Sequence, residues 1–217
     1  MVSEREDILL IKNYVKPGSR VLDIGSNIGF YTEIFARCVG RSGKVHAFEP
    51  DALNFSRLQR GLAKYKDAVA LNQVAVGPVS QLTQLYVSES LNVDHRCYDD
   101  GGTRKKQSVR MVAIDDYILD NEKIDFVKID VQGYDFFALT GMKKLITRSP
   151  DLVVLGEFWP FGLAKAGASA KEYYDWLTNK GFTIKFLGEK TDKEYIFSQD
   201  KNQKFYVSFL ARKGQSH

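Results

Sequence analysis

An acid at the end of an apolar run, a glycine turn after it and a second acid closing the next apolar run carry the spacing that most narrows the chemistry. Val21-Leu22-Asp23-Ile24 leads into Gly25-Ser26-Asn27-Ile28-Gly29 and then Phe30-Tyr31-Thr32, which reads as a buried strand, a tight turn and a helix start. Small residues in such a turn let a ligand approach the backbone. A glycine turn alone also serves to join a strand to a helix, so the acids sharpen the reading. Asp23 sits at the carboxyl end of the first run, and Glu49, twenty residues after Gly29, closes Ala47-Phe48-Glu49-Pro50-Asp51. That pairing points to a nucleoside cofactor. A dinucleotide would lay an anionic pyrophosphate beside Asp23 and be repelled. S-adenosyl-L-methionine brings a sulfonium and an ammonium, which an acid attracts, and its two ribose hydroxyls can each donate a hydrogen bond to Glu49.

The elements that must hold these residues follow from composition and rhythm. The chain has 217 residues, 31 Lys+Arg against 27 Asp+Glu for a net charge of +4, and 44% hydrophobic residues, which excludes disorder, fibres and disulfide-stapled miniproteins. A single domain over 1–217 is expected, with 1–16 as an N-terminal helical extension. The longest apolar stretch, Leu152 to Ala164, is broken by Glu157 and Pro160 and falls short of the roughly 20 residues of a membrane span. The opening MVSEREDILL carries acids where a secretory signal has a basic head, so a cytoplasmic location is expected. Apolar runs alternate with helical patterns: strands at Arg20-Ile24, Lys44-Phe48, Val69-Val76, Phe126-Val131 and Leu152-Glu157, with helices at Ile28-Val39, Ala52-Tyr65 (Leu53, Leu58 and Leu62 inward), Phe136-Ile146 and Ala170-Lys180. Strands near Phe182-Leu187 and Phe205-Ala211 close the chain. This is the pattern of a mostly parallel sheet covered on both faces. Leu82-Val87 and Val109-Ile114 alternate apolar and polar residues, and so predict a β-hairpin insertion after the third strand. Cys38 reads as a core residue, and Cys97 is given no role. The basic cluster Arg104-Lys105-Lys106 with Arg110 reads as a solvated loop, and no long basic stripe interleaved with aromatics suggests a nucleic-acid partner.

From about Pro17 to Leu210 the chain resembles the FkbM-type S-adenosylmethionine-dependent methyltransferases. The resemblance is carried by Asp23-Ile-Gly-Ser-Asn-Ile-Gly-Phe-Tyr-Thr32, Phe48-Glu49-Pro50, Asn72-Gln-Val-Ala75-Val-Gly77, Ile124-Asp-Phe-Val-Lys-Ile-Asp130-Val-Gln-Gly133, Glu157-Phe-Trp-Pro160 and the loop element Asn92-Val-Asp-His-Arg96. Asn27 stands where many methyltransferases carry glycine, and Gln132 where many family members carry Glu, which voids any role assigned to an acid there. The resemblance implies a class I methyltransferase (Rossmann-like) seven-stranded sheet of order 3-2-1-4-5-7-6 with the seventh strand antiparallel. It also implies methyl transfer, usually to oxygen, of a small-molecule or glycan acceptor. The cofactor residues would be Asp23, Gly25, Ser26, Asn27, Gly29, Tyr31, Thr32, Glu49, Pro50, Asn72, Ala75 and Asp130.

Displacement at a sulfonium needs alignment, exclusion of water and, for a hydroxyl acceptor, removal of a proton. His217 is terminal and His46 mid-strand, which leaves His95 as the candidate base; a structural loop histidine or a substrate contact is the alternative. Asp130 is placed to hold the methionine ammonium or the nucleophile, or else to cap the next helix. Arg96 would clamp an anionic acceptor or pair with Asp94, Asp99 or Asp100. Glu157 and Trp159 would border the acceptor. Asp130, Glu157 and Asp115-Asp116 lack diagnostic metal spacing, and no obligatory metal is expected. A cofactor-binding module without turnover, or a nucleotide-dependent oxidoreductase, is the rival reading. Oligomeric state is open.

Overall fold

A computed structural model describes residues 4–88, 94–99 and 101–214. Asn92, in the loop motif, and His217 therefore lie outside the described residues. In chain order the elements are α1 (Glu4–Tyr14), β1 (Arg20–Ile24), α2 (Phe30–Val39), β2 (Lys44–Phe48), α3 (Ala52–Leu62), β3 (Val69–Asn72), β4 (Ala75–Val76), β5 (Gln81–Val87) and β6 (Lys105–Val112). They continue with α4 (Ile114–Tyr117), β7 (Phe126–Ile129), α5 (Asp135–Thr140), α6 (Lys143–Arg148), β8 (Val153–Phe158), α7 (Pro160–Ala166), α8 (Ala170–Asn179), β9 (Phe182–Phe186), α9 (Lys193–Phe197) and β10 (Val207–Lys213). Seven strands form one sheet in the order β3-β2-β1-β7-β8-β10-β9. β10 is antiparallel to both its neighbours and the other pairs are parallel. Counting β7, β8, β9 and β10 as fourth to seventh, this is the 3-2-1-4-5-7-6 order of a class I methyltransferase.

Successive side chains leave opposite faces, and in the central strands β1, β7 and β8 both faces are buried. Val21 joins one core with Phe126 and Leu155, closed by Ile11 of α1, Phe35 and Val39 of α2 and Leu58 and Leu62 of α3. Leu22 and Ile24 enter the other core with Val127, Ile129 and Val154, closed by Leu139, Leu145, Tyr173 and Leu177. On α3, Phe55 and not Leu53 faces inward; Leu53 is 54% exposed. A turn of helix starting at Asp51, which caps α3 by accepting from the Asn54 N–H at 2.8 Å, carries Leu53 outward.

The sequence reading needs correction at two breaks. Val69-Val76 is not one strand: β3 ends the main sheet, and β4 pairs with β6 in a separate three-stranded sheet, β4-β6-β5. Within it β5 and β6 are antiparallel partners, so the insertion is built into a small sheet with β4. Phe136-Ile146 is two helices, α5 and α6, parted at Gly141. A Cβ on Gly141 would stand 2.0 Å from the Gly77 carbonyl oxygen, so the main body and the small sheet touch backbone to backbone there. Among the described residues no helix is long and apolar enough to cross a membrane.

Candidate active site

The parallel strands bring the ends of β1, β2 and β7 to one edge, where the turn after β1 meets the loops after β2 and β3. A cavity of about 400 Å³ opens there, lined by Gly25, Ser26, Asn27, Tyr31, Glu49, Pro50, Ala75, His95, Cys97, Lys128, Asp130 and Gln132, with Phe48, Val74 and Leu85 among its apolar walls. That volume suits a nucleoside-sized ligand.

The turn is held by the neighbouring strand. The Gly25 and Ser26 N–H groups both donate to the Phe48 carbonyl at 3.0 Å, and Ser26 Oγ accepts from the Phe48 N–H at 3.0 Å while donating to the Asp23 carbonyl at 2.8 Å. Gly25 has φ +84°, and a Cβ there would lie 2.0 Å from the Asp130 carbonyl oxygen, so only glycine lets this turn close on the turn after β7. Asn27 adopts φ +49°. Its N–H donates to Glu49 Oε2 at 2.9 Å, and its buried Oδ1 has no hydrogen-bond partner. The other Glu49 oxygen, Oε1, accepts from the Asp51 N–H at 2.9 Å. Burial pushes Glu49 up to about 7, against the two backbone amides that pull it down. Each oxygen keeps a lone pair for a donor arriving in the cavity.

Asp23 does not line the cavity. It lies under the turn, 1% exposed, with Oδ2 accepting from Thr32 Oγ1 at 2.5 Å and Oδ1 unpartnered. Burial raises it, while the neighbouring Lys128 ammonium pulls it down. Gly29, in the left-handed region at φ +97°, starts α2 behind the same wall. Asn72 is likewise turned away: its Nδ2 donates to the Ala47 carbonyl at 3.2 Å, tying β3 to β2.

Lys128 is the site residue that sequence reasoning missed. It is paired with Asp23 in the register of β1 and β7, buried, with Nζ 3.6 Å from Asp130 Oδ2 and 4.4 Å over the Tyr31 ring. Burial pulls the ammonium down, but Asp130, Asp23, Asp7 and Glu157 together hold it above its ordinary value. A charged residue inside an otherwise apolar, fully buried strand was the available signal. Asp7, on α1, was also missed; the Tyr31 hydroxyl donates to its Oδ2 at 3.2 Å, so the N-terminal helix borders this end of the site. Asp130 Oδ1 accepts from Gln132 Nε2 at 2.9 Å. Glu157 stands beside this group without lining the cavity, raised by burial first and then by the Asp130 and Asp135 carboxylates. Asp135 accepts from the Val131 and Gly133 N–H groups and is pushed up to about 7 by burial.

On the facing segment, His95 lines the cavity and its Nδ1 accepts from the Ser88 N–H at 3.1 Å. Arg96 points the other way. It is 3% exposed, donates from Nε and Nη2 to the two Asp94 oxygens at 2.7 and 3.0 Å, and lies 5.0 Å over the Trp159 ring. Trp159 is buried, with Nε1 donating to the Gln203 carbonyl at 3.0 Å. Arg96 and Trp159 therefore brace the segment behind the cavity and line none of it. The Cys97 thiol lines it but is pushed up to about 12 by burial and by Glu49, so it is not a poised nucleophile. Asp115 and Asp116 are elsewhere: Asp115 accepts from the Lys144 and Leu145 N–H groups at the start of α6, and Asp116 from Ser80 Oγ. Among the described residues, no three His, Cys, Asp or Glu side chains are grouped to hold a metal ion.

Solved structures share the fold. A protein from Clostridium thermocellum, provisionally described as an rRNA methylase, matches with a TM-score of 0.61 at 14% identity over 99% of this chain and 100% of that one. The O-methyltransferase TomG from Streptomyces achromogenes, in complex with SAM, matches at 0.58 and 14% over 100% and 82%. An O-methyltransferase from Bacillus cereus in complex with SAH matches at 0.56 and 15% over 99% and 83%. No curated protein sequence matches the chain. The methyltransferase FkbM domain matches residues 23–184, from Asp23 under the turn to the middle of β9, and the chain belongs to that family.

Proposed function

We propose that this protein moves a methyl group from S-adenosylmethionine to a hydroxyl oxygen of a small-molecule or glycan acceptor. The observation that carries the reading is Glu49, fixed by the Asn27 and Asp51 amides with free lone pairs on the wall of a nucleoside-sized cavity. The residues present fit the cofactor. A buried amide oxygen on the cavity wall, Asn27 Oδ1, lacks a donor, and such an oxygen suits a ligand that brings hydroxyl or ammonium hydrogens. When bound, the cofactor supplies an electrophilic methyl on a sulfonium. The chain's part is to hold and to deprotonate. Glu49 would accept the ribose hydroxyls, Val74, Ala75 and Leu85 would enclose the base, and Asp130 would complement the ammonium, while Asp23 holds the turn from beneath. Asp130, which lines the cavity at the end away from Glu49, would take the acceptor's proton, with Glu157 beside it behind the wall.

An RNA acceptor is not favoured, because Arg104 and Lys106 of the basic cluster are answered by Asp94 and Asp99. The test is calorimetric titration with S-adenosylmethionine and, separately, NAD. Micromolar binding of the first alone is expected, followed by radiolabelled methyl transfer to a panel of polyols, phenols and glycans. Folded protein that binds neither would overturn the reading.

A further inference from the structure

We infer that His95 is a hydrogen-bond donor, through Nε2–H, to an acceptor atom on the adenosyl half of the cofactor, and not the base of the reaction. The inference rests on the cofactor reading above and begins with the Ser88 amide. A backbone N–H can only donate, so at 3.1 Å from Nδ1 it forces that nitrogen to be the unprotonated one. The single proton of the neutral ring then lies on Nε2. Burial, helped by Arg104, pulls the ring below its ordinary value against the Asp51 and Asp94 carboxylates. To act as a base, His95 would have to protonate Nδ1 and break its bond to Ser88. What it can offer the cavity is a donor.

Where that donor points follows from the backbone. Tyr86 and Arg96 exchange two backbone hydrogen bonds, Tyr86 N–H to the Arg96 carbonyl at 2.8 Å and Arg96 N–H to the Tyr86 carbonyl at 3.1 Å. The segment is thus extended, and its side chains alternate. Arg96 leaves toward Trp159, whereas His95 and Cys97 both line the cavity. Both belong to the end near β2: Cys97 feels the Glu49 carboxylate and His95 that of Asp51. Lys128 is surrounded instead by Tyr31, Asp130, Asp7 and Glu157. If Glu49 holds the ribose, the base lies beside it, among Val74, Leu85 and His95, and the reacting methyl belongs to the other end. Adenine presents ring nitrogens that accept, and a neutral donor in an apolar wall rewards a ligand that has such an atom and penalises one that lacks it.

The test uses S-adenosylhomocysteine and adenosine as calorimetric probes of the full chain, with thermal melting to confirm folding. His95→Ala is expected to weaken both about five- to tenfold. His95→Gln, whose side-chain amide can still donate from the position of Nε2, is expected to stay within about threefold of the parent. Unchanged adenosine affinity in folded His95→Ala would overturn the inference, as would a loss confined to S-adenosylhomocysteine, which would place His95 at the methionine end. Nitrogen-detected NMR of the unliganded parent reads the tautomer independently of any ligand. A protonated Nε2 is expected, and a protonated Nδ1 would overturn the inference even if His95→Ala fails to fold. Should the parent bind neither probe, the cofactor reading fails first and this one falls with it.

Discussion

Glu49 is a carboxylate held ready but only half ionised near neutrality, because burial outweighs the two amides that grip it. In the role proposed for Glu49 the ribose hydroxyls donate to the ionised form, so cofactor binding would compete with the proton. Affinity for S-adenosylhomocysteine is therefore expected to be full above about pH 7 and to fall as the pH drops through that value. Glu49→Gln should weaken binding at least tenfold at pH 8 and flatten this pH dependence; calorimetry of both proteins across the range checks it. Asp23 acts differently. Because it lies under the turn with Thr32 and Lys128 around it, Asp23→Ala strands a buried hydroxyl and removes a countercharge. It should cost about 1–3 kcal/mol in urea unfolding as well as affinity. Asp23, Glu49 and Asp130 were legible from sequence because each closes an apolar run. Lys128 and Asp7 were not, since their neighbours come from register across strands and from where α1 docks. His95 was legible as a site residue, but the proton's place on its ring depends on Ser88.

The segment 94–99 supplies His95 and Cys97 to the cavity wall and is the part of that wall least written in local pattern. It pairs with β5 only at Arg96, and the Tyr98 hydroxyl ties it to the Gln132 carbonyl at 2.8 Å. Arg96, with the Asp94 carboxylate on its fork and Trp159 under its face, and Arg104, which holds the same carboxylate from β6's side, tie it further. Arg96→Ala should therefore loosen the wall without touching a ligand. Amide exchange at 94–99 is expected to accelerate, and S-adenosylhomocysteine affinity to fall severalfold. If Arg96 were instead an acceptor clamp, exchange and cofactor affinity would both stay at the parent's level. The central strands of the main sheet were readable because both their faces are buried, which leaves apolar runs interrupted chiefly by the site residues Asp23 and Lys128. The break between β3 and β4 and the split at Gly141 were not, because each answers to a distant partner, β6 and the Gly77 carbonyl, whereas the outward Leu53 follows from the local Asp51 cap that sets the phase of α3. The start of α7 did carry a local sign, Pro160 at its first turn.

Across the whole molecule, burial raises Asp7, Asp23, Glu49, Asp135 and Glu157, and among these acids Lys128 is the ammonium shared by Asp7, Asp23 and Glu157. Such a concentration of buried acids around one cation is costly for the unliganded fold and suits a ligand that brings positive charge and hydroxyl donors. The sign of the linkage follows directly. Each of these acids titrates higher folded than unfolded, with Glu49 and Asp135 at about 7 against ordinary values of 4.5 and 3.8. Between those limits the folded state binds more protons. The stabilisation is complete below the unfolded values and is lost as pH rises through the folded ones. The melting temperature of the unliganded protein is expected to fall from about pH 5 to about pH 8, and the rise produced by saturating S-adenosylhomocysteine to be larger at pH 8 than at pH 6. Differential scanning fluorimetry at matched ionic strength measures both. A melting temperature that is flat or climbs over this range would show that the buried acids are ionised and compensated in the free protein, and the argument that this edge is built to receive a cationic, hydroxyl-bearing ligand would lose its energetic basis.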